Sequence, residues 1–419
     1  MERVSADQLD GLVREARERW NVPGLAVGVL QEGSVTTAAD GACRLGEPEP
    51  VTPATVFRIA SITKPFTAAL ALSLAQDDLL DLDAPPPGTT VDATVRQLLS
   101  HQGGLAQEWP ERLDPTVADD GALFRVAARE PERLPVGPGE LFSYCNVGFW
   151  LVAAAAARTL GTTFEQAMQE RVLDALGLDA TGFEPDRHAS GHRQVKAGSD
   201  EHLPLETSYP RVRRPSGGLW STVDDLLRFV SHQLGAPGPL TEESLAQMRL
   251  PHSRAGTYTY GLGWFMSDLD GRTLVEHGGS VAGFESVLLF VPEDGVALAA
   301  LTNSSRGDAP IRDLREQLGV WPPERPHAPL APQELEALAG SYTGQGLELV
   351  FAAEDGGLRL DATEVDPFTG ETSTTYPSVL ARPIGGRNFE IVEGEWRGER
   401  FDFPRDGFVC FGALAARVE

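Results

Sequence analysis

The sequence predicts an α+β fold, with one antiparallel sheet and a helical region, followed by a small all-β barrel. Three observations carry this prediction. Strand patterns stand at both ends of the first 320 residues, with helical patterns between them. A proline-rich stretch then interrupts the chain, and short alternating runs separated by turns fill the remainder.

Each element follows from its local pattern. The opening MERVSADQLDGLVREARERW is an amphipathic helix without the basic start and apolar core of a signal peptide, so no export signal is expected. GLAVGVLQEGSVTTAADG, Gly24 to Gly41, reads as two strands joined at a Glu-Gly turn. From Ser61 to about Arg249 helical patterns dominate, with loops expected at Leu82–Val91, Gln107–Asp120 and Glu184–Pro215. Strand patterns return in YGLGWFMSDLDGRTLVEHGG and in FESVLLFVPEDGVALAALTNSS, where apolar runs flank a Glu-Asp-Gly turn. Strands at both ends imply a single sheet, and a helix over Ala309–Leu318 is expected to close the unit. Val320 to Glu334, VWPPERPHAPLAPQE, reads as a linker. Beyond it, LELVFAAEDGGLRLDA is a hairpin pattern and NFEIVEGEWRGERFDFPRDGFVCFGAL supplies further barrel strands. The expected division is residues 1–320, a linker over 321–334 and a barrel over 335–419.

Composition narrows the function classes. Of 419 residues 41% are hydrophobic and 23% charged, the balance of a soluble globular protein with a sizeable core. A formal net charge of −26 argues against nucleic-acid and anionic-membrane partners, which need a basic face. Cys43, Cys145 and Cys410 are odd in number and far apart, so neither a disulfide framework nor a zinc site is expected. The longest apolar run, Gly148 to Ala157, is too short to span a bilayer. The expectation is a cytoplasmic protein that uses no cofactor and no metal.

Within RIASITKPFTAAL, residues 58 to 70, one letter is out of character. The chain has 33 arginines and two lysines, Lys64 and Lys196. Pro65 is tolerated only in a helix's first turn, so the helix must begin near Ser61 or Ile62. Lys64 then lies one turn above Ser61, with its amine in reach of the hydroxyl. The helix continues as TAALALSLA, apolar on nearly every side and therefore buried. Desolvation is expected to lower the pKa of such a lysine toward the range of a general base, a role closed to arginine. Backbone N–H groups at the helix start could meet a developing oxyanion.

In a chain with 22 serines a lone Ser-x-x-Lys is a weak signal, and the other motifs decide. FSYCNVGF places Tyr144 and Asn146 in a Tyr-x-Asn pattern at a loop-to-helix junction. EHGGSVAGF places His277, Gly278 and Gly279 at a strand whose glycines let a substrate lie against the sheet edge. These three elements, in this order, resemble the serine β-lactamase and penicillin-binding-protein superfamily, in its class C and D-aminopeptidase-like branch. The resemblance covers roughly Val4 to Asn303 and includes LLSHQGGL, LDALGLDATGF and SGGLWSTVDDLLRF. It implies a β-lactamase-like domain followed by a lipocalin-like barrel. It also implies Ser61 as the acylated nucleophile and Lys64 and Tyr144 as a shared proton-transfer pair. Asn146 would hold Lys64 and the substrate amide, His277 would stand where lysine is usual, and the N–H groups of Ser61 and Ser280 would form the oxyanion hole. Two departures stand out. Cys145 replaces a serine and is expected to point away from the nucleophile. The His277-Gly278-Gly279 strand suits peptidases, esterases and thioesterases better than enzymes that bind a β-lactam carboxylate.

Other residues have plainer readings. His101 braces a loop, Arg213 and Arg214 form surface ion pairs, and Cys145 is a small buried hydrophobe. Asp224 and Asp225 are first-turn acids behind a Ser221/Thr222 cap. The absence of Gly-x-Ser-x-Gly excludes an α/β-hydrolase elbow. The resemblance thus points to a serine acyl-enzyme hydrolase for a small-molecule or peptide substrate with a D-configured acyl residue. The alternative is a penicillin-binding-protein-type thioesterase that macrocyclises a nonribosomal peptide, with a carrier-protein-bound peptide as partner. A catalytically silent binding module is the third reading, opposed by the joint presence of Lys64, Tyr144 and His277.

Overall fold

The computed structural model describes residues 3–106, 121–195, 199, 201–205, 209–323, 325–344, 346–365, 372–394 and 396–418. The hairpin of Gly24–Gln31 and Ser34–Gly41 turns at Glu32-Gly33, both at positive φ (49° and 73°). That two-residue turn matches the twist of its strands. Gly24–Gln31 then pairs antiparallel with Val296–Thr302, Leu25 lying opposite Thr302, so both ends of the unit complete one sheet. Its eight strands run in the order Ser34–Gly41, Gly24–Gln31, Val296–Thr302, Phe284–Val291, Arg272–Val281, Phe265–Leu269, Tyr258–Tyr260, Ser253–Ala255.

Helices cover both faces, which is why every residue of Val296–Thr302 is buried and the strand reads as one apolar run. On the outer face, the Ala6–Trp20 and Asp308–Gln317 helices set Leu9, Val13 and Leu314 against Val287, Leu289 and Leu298. On the inner face, Phe66, Trp150 and Phe229 of the helical region share a core with Leu288, Phe290 and Leu301. The helix Thr63–Gln76 is buried from Thr63 to Leu74, with Pro65 in its first turn. Asn146–Leu160 is buried from Val147 to Ala157 and ends at Gly161 in the left-handed region. Among the described residues no single helix is long and apolar enough to cross a membrane.

Leu82–Val91 carries no helix or strand, as expected. Glu184–Pro215 departs from expectation. Gly191–Gln194 pairs with His202–Leu205, and Arg211–Arg213 and Arg214–Gly217 are short helical turns. Strands as short as GHRQ and HLPL, without alternation, leave no periodic signal. The expected loop Gln107–Asp120 and the second lysine, Lys196, lie outside the described residues.

The C-terminal sheet closes on itself. Leu347–Glu354 pairs with Gly340–Gly344 on one side and Gly357–Val365 on the other, giving an eight-stranded antiparallel barrel over residues 340–417. Thr372–Thr375 adds to Gly357–Val365 outside the ring. Tyr342, Phe351, Phe389, Phe401 and Phe403 fill the interior. The barrel also packs on the first unit. Cys410 and Leu414 share a cluster with Val136, Phe142 and Tyr260. Across this seam the Tyr144 N–H donates to the Gly412 carbonyl (3.3 Å), and the Leu414 N–H donates to Ser143 Oγ (3.2 Å). Phe142→Ala should therefore destabilise the protein by about 3–5 kcal/mol, the range for truncating a buried aromatic side chain. Urea denaturation measures this, and a loss below about 1 kcal/mol would show that the seam bears little of the stability.

Candidate active site

The nucleophile candidate sits on a strained turn. Ala60 has φ of 45°, a costly conformation for a residue with a Cβ, and opens a 3-10 turn over Ala60–Ile62. The α-helix starts at Thr63, two residues later than the sequence requires at the earliest. Ser61 is half-buried at the cleft and Lys64 is completely buried. Lys64 Nζ donates to Ser61 Oγ (3.0 Å) and to the Ser216 carbonyl (2.9 Å). It also lies 4.7 Å from the Tyr144 ring centre and 5.6 Å from that of Phe149. The Ser216-Gly217-Gly218 stretch is thus the cradle of the lysine. Trp150 Nε1 donates to Ser216 Oγ (2.8 Å), which locks the cradle to the Asn146–Leu160 helix.

Burial pushes the Tyr144 phenol pKa up, keeping it protonated, and the Ser61 side chain beside it acts in the opposite direction. His101 braces Tyr144. The His101 carbonyl accepts from the Ser143 N–H (2.9 Å), Nδ1 accepts from the Cys145 N–H (2.9 Å), and the ring lies 4.2 Å from that of Tyr144. Burial and the Lys64 charge hold His101 well below its ordinary pKa, which fits a neutral ring accepting at Nδ1. Cys145 turns away from the cleft and donates to the Ala106 carbonyl (3.1 Å). Asn146 opens the helix directly after the motif and is half-buried.

His277 is buried on the same strand face as Gly279. Its Nδ1 faces its neighbour's carbonyl, Gly278 O (2.6 Å), and its Nε2 faces Tyr260 Oη (3.2 Å). Both contacts suit a neutral ring that donates from Nδ1 and accepts from the phenol. Burial and the Lys64 charge push its pKa down to about 3. A neutral group here offers no cation to a substrate carboxylate. Gly279 and Gly278 are glycines for different reasons. A Cβ on Gly279 would fall 2.2 Å from the Ile59 carbonyl and 2.5 Å from Ser286 Oγ, so only glycine lets the strand approach the Ser61 turn. The Val281–Phe284 pair closes a two-residue turn. If that pair is hydrogen-bonded, the ladder's alternation turns the N–H of Ser280 toward the open edge, which packs on the Ala60–Ile62 turn. An oxyanion held by the N–H groups of Ser61 and Ser280 fits this arrangement.

Three contributors carried no motif. Tyr260, first letter of YGLGWF, reads only as a strand residue, yet its hydroxyl pairs with His277. Tyr209 lies between Arg58 and Arg213, 5.4 and 5.5 Å from its ring centre, and its hydroxyl occupies the space a Cβ on Gly217 would need. Gly412, a barrel turn residue, holds the Tyr144 N–H. The plainer readings mostly stand. Arg214 pairs with Glu165 (2.8 Å) and with Glu184. Thr222 caps its helix by accepting from the Asp225 N–H (3.2 Å). Asp225 does more than serve the first turn, since its carboxylate accepts from Thr181 Oγ1 (2.8 Å) and the Ala180 N–H (2.9 Å).

Gly279→Ala should lower the rate of Ser61 acylation by about 100-fold, because it displaces the strand from the nucleophile. Trapping with an activated ester measures this, and a change under threefold would show that the strand's approach is unimportant. His277 yields a stability test. Its folded pKa lies below the ordinary 6.5, so the unfolded chain binds the extra proton. The neutral ring's contribution is complete above about pH 6.5 and falls as the pH drops toward 3. Between those limits wild type should lose up to about 1.4 kcal/mol per pH unit more than His277→Gln. Parallel unfolding curves at pH 4.5 and 7.5 would refute the neutral buried state.

The Beta-lactamase family model matches residues 9–320. Over 365 residues the chain is 29% identical to penicillin-binding protein 4 of Amycolatopsis lactamdurans, covering 79% of this chain and 95% of that protein. It is 27% identical to the D-aminopeptidase of Gluconobacter oxydans, over 84% of this chain and 69% of the relative. The crystal structure of SurE with D-Leu superposes with a TM-score of 0.75 at 25% identity, covering 99% of both chains. With the family match spanning the sheet, the helical region and the Ser61–Lys64–Tyr144 cluster, the protein belongs to the Beta-lactamase family.

Proposed function

We propose that this protein is a serine hydrolase that takes the acyl group of a D-configured residue from a peptide, amide or ester onto Ser61 and releases it to water. One observation carries the reading: Lys64 Nζ donates to Ser61 Oγ (3.0 Å), and the Tyr144 phenol acts on the same Ser61 side chain. In acylation Ser61 Oγ bonds to the substrate carbonyl carbon as its proton enters the Lys64–Tyr144 pair. The tetrahedral oxyanion would rest on the N–H groups of Ser61 and Ser280, with Asn146 positioning the substrate amide. Tyr144 donates its proton to the departing atom and recovers one from Lys64. Water then attacks the ester carbonyl as its proton enters the same pair, the Oγ–carbonyl bond breaks, Ser61 Oγ takes a proton back from the pair and the acid leaves. D-configuration is supported by the end-to-end likeness to a protein solved with D-Leu, and by the D-aminopeptidase relative.

A second reading keeps the acyl-enzyme and replaces water by the substrate's own amine, as a peptide-cyclising thioesterase acting on a carrier-bound peptide would. The barrel favours it, because Gly412 brings a second domain into contact with Tyr144 at the site. A linear hexa- to octapeptide thioester with a D-residue at its C-terminus, its L-epimer and a D-alanine amide separate the possibilities. The expected result is linear acid from the D-substrates, no reaction with Ser61→Ala, and acylation about 10²–10⁴ slower with Lys64→Arg. Mainly cyclic peptide would replace hydrolysis by the second reading. Turnover that persists in Ser61→Ala would overturn both.

A further inference from the structure

We propose that the cavity between the barrel and the outer face of the sheet is the leaving-group subsite of Ser61, and that it takes a chain whose ammonium group meets Asp402. This rests on the acyl-Ser61 reading. The cavity has a volume of about 380 Å³, within the range of small-molecule sites, and its walls include Phe142, Phe265, Gly278, Phe401, Phe411 and Asp402.

Position assigns it to the leaving group. Phe142 stands two residues before Tyr144, and the Phe265 ring lies parallel to that of Tyr144 at 6.5 Å and 5.6 Å from His277. Gly412, whose carbonyl holds the Tyr144 N–H, lines the same space. The cavity therefore borders the segment that carries Tyr144, the group that returns a proton to the departing atom in the acyl-Ser61 reading. Gly278 lines the same space. A Cβ there would meet only the Ser286 carbonyl, at 3.7 Å, so packing does not demand glycine as it does at Gly279. Gly278 therefore borders the cavity with no side chain of its own to narrow it.

Asp402 gives the cavity its chemistry. Along Arg400–Arg405, Phe401 and Phe403 point into the barrel core, so Asp402 points out of it toward the first unit. Among the described residues no hydrogen-bond donor or ion-pair partner reaches its carboxylate. Of the other charges in the wall, Glu276 is engaged by Arg315 and Arg400 by Glu390 (2.7 Å), and the Glu399 carboxylate adds a second acidic group. Burial raises the Asp402 pKa to about 7, with Arg254 the one cation lowering it. An alkylammonium group would satisfy this carboxylate directly and lie against the aromatic walls.

The test compares two amides of D-alanine, one with mono-protonated 1,5-diaminopentane as leaving amine and one with neutral hexylamine. Wild type should favour the cationic amide by about tenfold or more in kcat/KM, the scale of a charge-assisted hydrogen bond, and Asp402→Asn should bring the ratio near one. A wild-type ratio near one, or a ratio kept in Asp402→Asn, would overturn the proposal. Binding of N-acetyl-1,5-diaminopentane to Ser61→Ala, followed by calorimetry, decides the matter independently of any turnover. Affinity about tenfold weaker after adding Asp402→Asn supports the subsite, and equal affinity or no binding to Ser61→Ala rejects it. Should neither amide acylate Ser61 while binding still depends on Asp402, the hydrolase reading fails and the subsite stands.

Discussion

A lysine nitrogen with no access to solvent constrains everything around it. Lys64 lies inside a helix buried from Thr63 to Leu74, where an unmet amine would be costly. Ser61 Oγ meets it from the same helix start, and the Ser216 carbonyl meets it from a distant loop. That loop can serve only if it is fixed in turn. Thr67 Oγ1 donates to the Pro215 carbonyl (2.7 Å), and the Leu219 N–H donates to Thr63 Oγ1 (3.1 Å). Trp150 adds the third anchor through Ser216 Oγ. One polar atom in an apolar setting thereby ties the Thr63–Gln76 helix, the Asn146–Leu160 helix and the Pro215–Leu219 segment into a rigid unit. Rigidity of this kind holds Ser61 Oγ and Lys64 Nζ at a fixed separation.

Tyr144 is held in a different way, from two sides that are far apart in sequence. His101, itself at a φ of 58°, fixes residues 143–145 from within the first unit. The barrel fixes them from outside, through Gly412 and Leu414. The barrel is therefore part of the site's architecture. The histidines near Lys64 are both driven to neutrality by burial and by its charge. Their role is steric and hydrogen-bonding, which sets this cleft apart from one that attracts a carboxylate with a cation.

The sequence by itself determined the scaffold and the central cluster. Strand alternation at Gly24–Gly41 and after Tyr258, and continuous burial at Val296–Thr302, are short-range signals that survive in a single chain because side-chain period follows backbone period. Ser61, Lys64, Tyr144 and His277 were legible because each stands in a short local pattern, Ser-x-x-Lys, Tyr-x-Asn or His-Gly-Gly. A lysine in an arginine-rich chain is conspicuous even without a structure. Tertiary structure alone decided what meets across long separations. Nothing in the letters of YGLGWF couples Tyr260 to His277, and nothing in FGAL places Gly412 on Tyr144. The two glycines after His277 read alike, yet one is imposed by the Ile59 carbonyl and the other meets no such obstacle. The reason is physical. Hydrogen bonds between elements and the space left between them depend on how the sheet, helices and barrel pack, and local periodicity carries no record of that packing.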